Sequence, residues 1–482
     1  MKKFSLGFIL MMLVMSLVSC RKTEYITIVA PTEEPDDSTY TIMLYGCGGG
    51  NLDCSMVTNI MEALLVGDSD RVHFTGQVKF SQRFQGTEVF AGTQRFVVGD
   101  AGAAWYEPVE VLDAELALYD PQNLTDFINW SKEQRPADNY ILILWNHGGA
   151  WLPEDDYPQG SRAVIYDDVL GSRGLTLDEL VKGIKDSGTK LKMVYYDACL
   201  MGMVEILSGL TECAEYALSA SHVTPGIGGD YYSLIYNLNN STNFETAIKA
   251  YCRETISHWE PTGYPLDLML VDLSMMDPLL SEIRLFGLYL KEMSSIYEAT
   301  NTKISKGEID PGTYSNELNI ATTYEYAINM CYHYEPGRDM QGRDYYPFYD
   351  IQQLAEFFAN GMYSSYSARL IDVSSRMNRA FDDAIVCKTV TSPILGKTLT
   401  MGVTIVDKRV WNSKSYQSAY DRLAFQKKTA WGDWLMRNPV TPVENPDPMS
   451  FVDESVADDE YMEEPSFEEE LALLLDMIGY GK

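Results

Sequence analysis

Apolar runs of strand length alternate with helix-period segments over roughly the first half of the chain. The β-prone runs predict strands near residues 40–46, 71–80, 140–146, 163–167, 191–197, 216–221 and 267–272. Between them, apolar positions at three- and four-residue spacing in SMVTNIMEALLVG (55–67), TLDELVKGIKDSG (176–188) and MVEILSGL (203–210) predict helices. Such alternation predicts an α/β fold, one sheet with helices on both faces. After residue 273 the pattern becomes mainly helical, as in DPLLSEIRLFGLYLKEMSS and DIQQLAEFFANGM, around a tyrosine-rich stretch from 313 to 348. TLTMGVTIVD (398–407) reads as one further strand, rejoining the sheet. No internal repeat is present, and GCGGGNLD lacks the lysine of a phosphate-binding loop.

The two ends differ from this body. Lys2-Lys3 followed by FSLGFILMMLVMSLVSC is a basic segment with an apolar run of signal-peptide length. Leu17-Val18-Ser19-Cys20 resembles a bacterial lipobox, which implies removal of residues 1–19 and lipid attachment at Cys20. The protein is then expected in the bacterial cell envelope, periplasmic or at the surface, held to the membrane by its anchor. Residues 20–39 are polar enough to serve as a tether. At the other end, residues 441–482 hold thirteen acids and one lysine, then an apolar stretch, LALLLDMIGYGK, that could dock on the body or on a partner. The expected organisation is therefore signal peptide 1–19, tether 20–39, sheet-containing core 40–275, helical extension 276–440 with at least one returning strand, and acidic tail 441–482.

The net charge of −32 argues against nucleic-acid binding. Eight cysteines at low density with no CxxC pair and only five histidines give no structural zinc site, and Cys47 and Cys54 could pair in a disulfide.

Two predicted strands end on chemistry. KLKMVYYDACLMGMVEIL (190–207) places Asp197 and Cys199 at a strand's carboxyl end, the rim where open α/β sheets bind ligands. A helix starting just after Cys199 would favour its thiolate, although a free cysteine is equally a small buried hydrophobe. Asp197 could likewise cap a helix beginning at Leu200. NYILILWNHGGAW (139–151) ends another strand on His147 and paired glycines, whose exposed N–H groups suit an oxyanion. Of the other histidines, His73 and His258 fall inside predicted elements, His333 is a surface or packing residue, and His222 is the rival base.

Strands ending in NHGG and DACLMG, in that order and about fifty residues apart, resemble the clostripain family of cysteine peptidases. YTIMLYGCGGGNLD resembles that family's opening strand and loop, and SHVTPGIGGDYY its substrate-pocket segment. The resemblance implies a sheet like that of caspases, gingipains and legumains. It implies His147 as base and proton donor, Cys199 as nucleophile, and backbone N–H groups of Gly148 and Cys199 as the oxyanion site. Asp197, with Asp230 as a second candidate, would line the pocket for a basic P1 side chain, giving cleavage after Arg or Lys in peptide and protein substrates. Self-cleavage between the two motifs would fall at Arg162, preferred over Arg173. Calcium is possible, with carboxylates in PEDD (153–156) and IYDD (165–168), but neither has the spacing of a calcium loop. No metal ligands or other cofactor are assigned. The rival readings are a catalytically silent surface lipoprotein that binds peptides or glycans, and a transpeptidase using the same dyad.

Overall fold

The computed structural model describes residues 37–49, 51–152, 164–171, 173–334, 337–338, 344–345, 348–396, 400–406, 408–412, 414–440 and 466–479. Fifteen strands occur there. They are β1 (Tyr40–Cys47), β2 (Val72–Lys79), β3 (Thr93–Val97), β4 (Glu110–Leu112), β5 (Asn139–Trp145), β6 (Val164–Asp167), β7 (Arg173–Leu175) and β8 (Leu191–Asp197). They continue with β9 (Ala214–Ser219), β10 (Asp267–Asp272), β11 (Gly337–Arg338), β12 (Asp344–Tyr345), β13 (Phe348–Asp350), β14 (Ile385–Val390) and β15 (Gly402–Thr404).

Nine of these form one sheet in the order β14-β10-β9-β8-β5-β1-β2-β3-β4. The five central strands, β9 to β2, run parallel, and two antiparallel strands extend each edge. Parallel neighbours need crossovers, supplied by helices α1 (Asp53–Val66), α2 (Pro121–Gln134) and α3 (Leu177–Asp186). Thr176 caps α3 reciprocally with Glu179, the capping box written in TLDE. Helices α4 (Val204–Leu207), α5 (Tyr231–Asn240), α6 (Phe244–Trp259) and α7 (Met276–Ser305) follow.

The two-residue period of the strands divides the core into two layers. Met43, Tyr45, Leu142 and Leu144 face one side with Phe127 of α2, Ile184 of α3 and the helices beyond residue 275. Ile42, Leu44, Ile141 and Ile143 face the other with Ile60 of α1, Leu234 of α5 and Ile248 of α6. Both faces of the central strands are covered, which explains why they read as continuous apolar runs. The described residues from 37 onward form one compact unit, and no helix among them is long and apolar enough to cross a membrane.

The observed elements correct the sequence reading in three places. The strand in 398–407 does not rejoin the sheet, because β15 pairs antiparallel with β13 in a separate two-stranded ladder. The returning strand is β14, paired with β10. MVEILSGL yields only the single turn α4, continued as a 3-10 turn over Ser208–Leu210. Third, β6 lies outside the central sheet and pairs with β7. The end of the acidic tail docks on the body: in the helix Phe467–Met477, Leu474 is buried against the α1 layer, Phe467 packs on Phe84 at 5.4 Å, and Glu470 pairs with Arg83 at 2.6 Å. Residues 1–36, with the expected signal peptide and Cys20, and 441–465 of the tail lie outside the described residues.

Candidate active site

The parallel pairing of β5 with β8 aligns Trp145 with Asp197, so His147 and Cys199 each stand two residues beyond matched strand ends. The backbone N–H of Asn146 continues the ladder to the Asp197 carbonyl at 3.4 Å. Beyond the strands the two loops press together. A Cβ on Gly148 would lie 2.2 Å from the Cys199 carbonyl oxygen and 2.8 Å from its nitrogen. Glycine is what permits His147 and Cys199 to share one edge of the sheet, with the backbone of Gly148 against that of Cys199 as the expected oxyanion pair requires.

Each loop is fixed from outside. Asn146 donates from Nδ2 to the Cys47 carbonyl at 2.5 Å and accepts from the Tyr166 N–H at 2.6 Å, which ties the β5 end to β1 and β6. Tyr166 stands edge-on to the His147 ring, centroids 6.3 Å apart. His147 is exposed, yet partial burial of the ring by its surroundings lowers its pKa below the ordinary histidine value. Gly148 also bridges Val164, so the chain leaving the NHGG motif returns beside His147.

Cys199 is half-buried, and the Thr224 N–H donates to its Sγ at 3.3 Å, with the Thr224 hydroxyl at 3.5 Å. An N–H aimed at sulfur is the donor a thiolate needs. The expected helix start is absent: α4 begins only at Val204, with Met203 at its N-cap, too far along to act on Cys199. Cys199 instead occupies a turn in which Leu200 takes a left-handed φ of 61°. The Leu200 N–H donates to the His222 carbonyl at 3.1 Å and the Gly202 N–H to the Ala220 carbonyl at 2.7 Å, tying the Cys199 turn to residues 220–222.

Asp197 does not cap a helix. Its Oδ2 accepts from the Gly229 N–H and the Tyr231 hydroxyl, both at 2.9 Å, tying β8 to the Gly228–Tyr231 turn. Burial pushes the carboxyl up to about 6, with those two hydrogen bonds acting in opposition. Gly228 takes φ 73°, and a Cβ there would sit 2.8 Å from Asp197 Oδ2 and 2.9 Å from Trp145 Nε1. Glu62 of α1 accepts from the Tyr231 N–H at 3.0 Å, and burial raises it to about 7. Asp230 caps α5, accepting from the Ser233 N–H at 2.8 Å and the Ser233 hydroxyl at 2.6 Å, so both its oxygens are occupied.

The rival histidine is placed elsewhere. His222 is buried with Nδ1 at 2.7 Å from Asp267 and Nε2 at 2.8 Å from the Tyr332 hydroxyl, which engages both ring nitrogens. Burial would raise the Asp267 carboxyl, but His222 and Lys388 bring it well below the usual range. His73 bonds Asp68 at 2.8 Å, His258 lies exposed on α6, and His333 bridges Tyr349. None of the seven described cysteines forms a disulfide, so Cys47 and Cys54 are not bridged.

The IYDD carboxylates are committed: Asp167 is fully buried against Lys79 at 2.8 Å, and Asp168 accepts from the Gln82 N–H at 3.2 Å. Among the described residues no group of three His, Cys, Asp or Glu side chains is placed to hold a metal ion. PEDD and Arg162 lie outside the described residues. Arg173 pairs with Glu179 and stacks over Tyr119, 4.5 Å from the ring centre. Thr224 was not singled out beforehand, because nothing in SHVTPGIGGDYY distinguishes the residue whose N–H reaches the sulfur.

Comparison with known proteins points the same way as the motifs. The family model described as the Clostripain family matches residues 94–437. Clostripain of Hathewaya histolytica is 30% identical over 184 residues, which is 34% of this chain and 35% of that protein, so the match spans about a third of the curated relative. An inactive zymogen C11 protease from Parabacteroides distasonis superposes with a TM-score of 0.56 at 14% identity, over 82% of this chain and 99% of that one. A secreted C11 cysteine protease from Bacteroides thetaiotaomicron, solved with an irreversible peptide inhibitor, gives the same TM-score at 16% identity over 82% and 99%. At these identities the structural likeness speaks for the fold.

Proposed function

Because the chain belongs to the clostripain family, we propose that it is a cysteine endopeptidase in which Cys199 and His147 form the catalytic pair. The observation that carries this reading is the β5–β8 register, which sets both residues two positions past matched strand ends with Gly148 against the Cys199 backbone. In the reaction, the Cys199 thiolate adds to the peptide carbonyl carbon. The N–H groups of Gly148 and Cys199 hold the oxygen as it gains charge. Collapse breaks the C–N bond, His147 protonates the leaving amine, and a water deprotonated by His147 hydrolyses the thioester.

Preference for Arg or Lys at P1 rests on Asp197. Its two hydrogen bonds both fall on Oδ2, which leaves Oδ1 for a guanidinium or ammonium group. Asp230 and Glu62 hold the backbone of the same turn and of the helix that follows it. Maturation is read as self-cleavage at Arg162, which precedes by two residues the Val164 bridge to Gly148, whereas the Arg173 guanidinium is already engaged. Lipid attachment at Cys20 would hold the enzyme in the cell envelope, and metabolic labelling with a fatty acid tests it by loss of label in Cys20→Ala.

The purified protein should hydrolyse Arg and Lys reporters and spare Leu reporters. Cys199→Ala and His147→Ala should each remove nearly all turnover while keeping the circular dichroism of the parent. The Cys199→Ala chain should also remain uncut where the wild type runs as two fragments. Turnover that survives Cys199→Ala in a clean preparation would refute the peptidase reading.

A further inference from the structure

The region beyond residue 275 reaches both catalytic loops at one residue. Thr404 of β15 accepts at Oγ1 from Trp151 Nε1 at 2.7 Å, and Trp151 follows His147 by four positions. The Thr404 N–H donates to Glu205 Oε1 at 2.8 Å, and Glu205 follows Cys199 by six. Thr404 thus joins the His147 loop, through its side chain, to the Cys199 loop, through its backbone N–H.

Neighbouring contacts close the set. The Gly402 N–H donates to the Gly202 carbonyl at 3.2 Å, and Gly402 bridges Met203 in parallel register. Tyr420 donates to Glu205 Oε1 at 3.1 Å and stands edge-on to Trp151, centroids 4.7 Å apart. The Thr404 carbonyl is held by Trp431 Nε1 at 2.8 Å. All four residues of the Trp151–Thr404–Glu205–Tyr420 group are buried, where hydrogen bonds are electrostatically stronger than in water.

We propose that Thr404 is a positioning residue for the catalytic pair, a brace that sets the spacing of the His147 and Cys199 loops through Trp151 and Glu205. The proposal rests on the peptidase reading. Thr404 touches no reacting atom; it acts through the two loops, and a misplacement of about 1 Å between reacting groups costs up to about 100-fold in rate.

The test compares the full-length wild type with Thr404→Val, Thr404→Ser and Trp151→Phe. Valine keeps the shape and the backbone bond to Glu205 but loses the hydroxyl; serine restores it; phenylalanine removes the indole donor from the other side. With an Arg reporter, kcat should fall about 10- to 100-fold in Thr404→Val and Trp151→Phe with KM nearly unchanged, and Thr404→Ser should stay within about threefold of wild type. Alkylation of Cys199 by iodoacetamide from pH 5 to 9 supplies a readout that needs no turnover. The wild type should react well below the pH at which a lone thiol ionises, and Thr404→Val should move towards lone-thiol behaviour. Wild-type kcat and alkylation profile in Thr404→Val would overturn the brace, as would equal losses in the valine and serine variants. A wild type without Cys199-dependent turnover would sink the peptidase reading instead, and the alkylation profiles would still decide the brace. Should Thr404→Val fail to fold, Trp151→Phe carries the same comparison.

Discussion

One glycine and one acid set the tolerances of the site. Alanine at Gly148 would put a methyl 2.2 Å from the Cys199 carbonyl oxygen, a contact that only separation of the two catalytic loops relieves. Gly148→Ala should therefore lower kcat on the order of 100-fold while thermal unfolding shows a protein still folded. Asp197 offers a pH signature. Burial raises its carboxyl to about 6, so it is ionised above that pH and neutral below it. The ratio of kcat/KM for an Arg reporter to that for a neutral reporter should rise as pH increases through about 6, since the titration of His147 is common to both substrates and cancels. Asp197→Asn should flatten that ratio and cost about 2–5 kcal/mol on the Arg reporter alone. Equal losses on both reporters would return Asp197 to a purely structural role in holding the Gly228–Tyr231 turn.

At the scale of elements, the helix Phe467–Met477 is joined to the body mainly through its own buried face, with Leu474 in the α1 layer. Leu474→Ala removes buried apolar volume worth about 2–5 kcal/mol at a core site. A peripheral helix can undock alone, so the loss should appear as faster hydrogen exchange over residues 466–479 and α1, with turnover per molecule unchanged. Loss of turnover in step with undocking would mean that this helix supports the site. The strands of the parallel centre were legible in the sequence because β1, β5 and β8 are buried on both faces and read as unbroken apolar runs. The edge strand β14 was not: IVCKTV is half-buried throughout and follows directly on the helix Ser367–Ala384, so no turn residue marks its start. The placement of His147 and Cys199 side by side was legible because each stands just where one of those apolar runs stops. Their partners were not. Thr224 and Thr404 make hydrogen bonds to residues 25 and 253 positions away in sequence, and no local pattern encodes such a pairing.

The whole molecule buries carboxyls whose pKa is raised. Burial lifts Asp53, Glu62 and Glu205 to about 7 and Asp197 to about 6. A carboxyl raised by folding holds its proton more tightly in the native state, so its contribution is present at low pH and lost as pH climbs through the folded value. Stability should accordingly decline from about pH 5 to pH 8, as followed by thermal unfolding. The net charge of −32 pushes in the same direction, but salt screens surface repulsion and not buried groups. A decline that persists in 0.5 M salt and is reduced by Glu205→Gln identifies the buried part; a flat profile would contradict it.

Thr404 also gives the site a place in time. About two hundred residues separate it from Cys199 in the sequence, and at about 5–20 residues per second the ribosome needs roughly 10–40 s to make them. The strands that carry His147 and Cys199 are thus synthesised well before the residue that braces them, and a newborn peptidase passes that interval beside its own unfolded chain. Stalled nascent chains ending shortly before and well after residue 440 should differ in Cys199 alkylation near neutral pH, the shorter one reacting as an ordinary thiol.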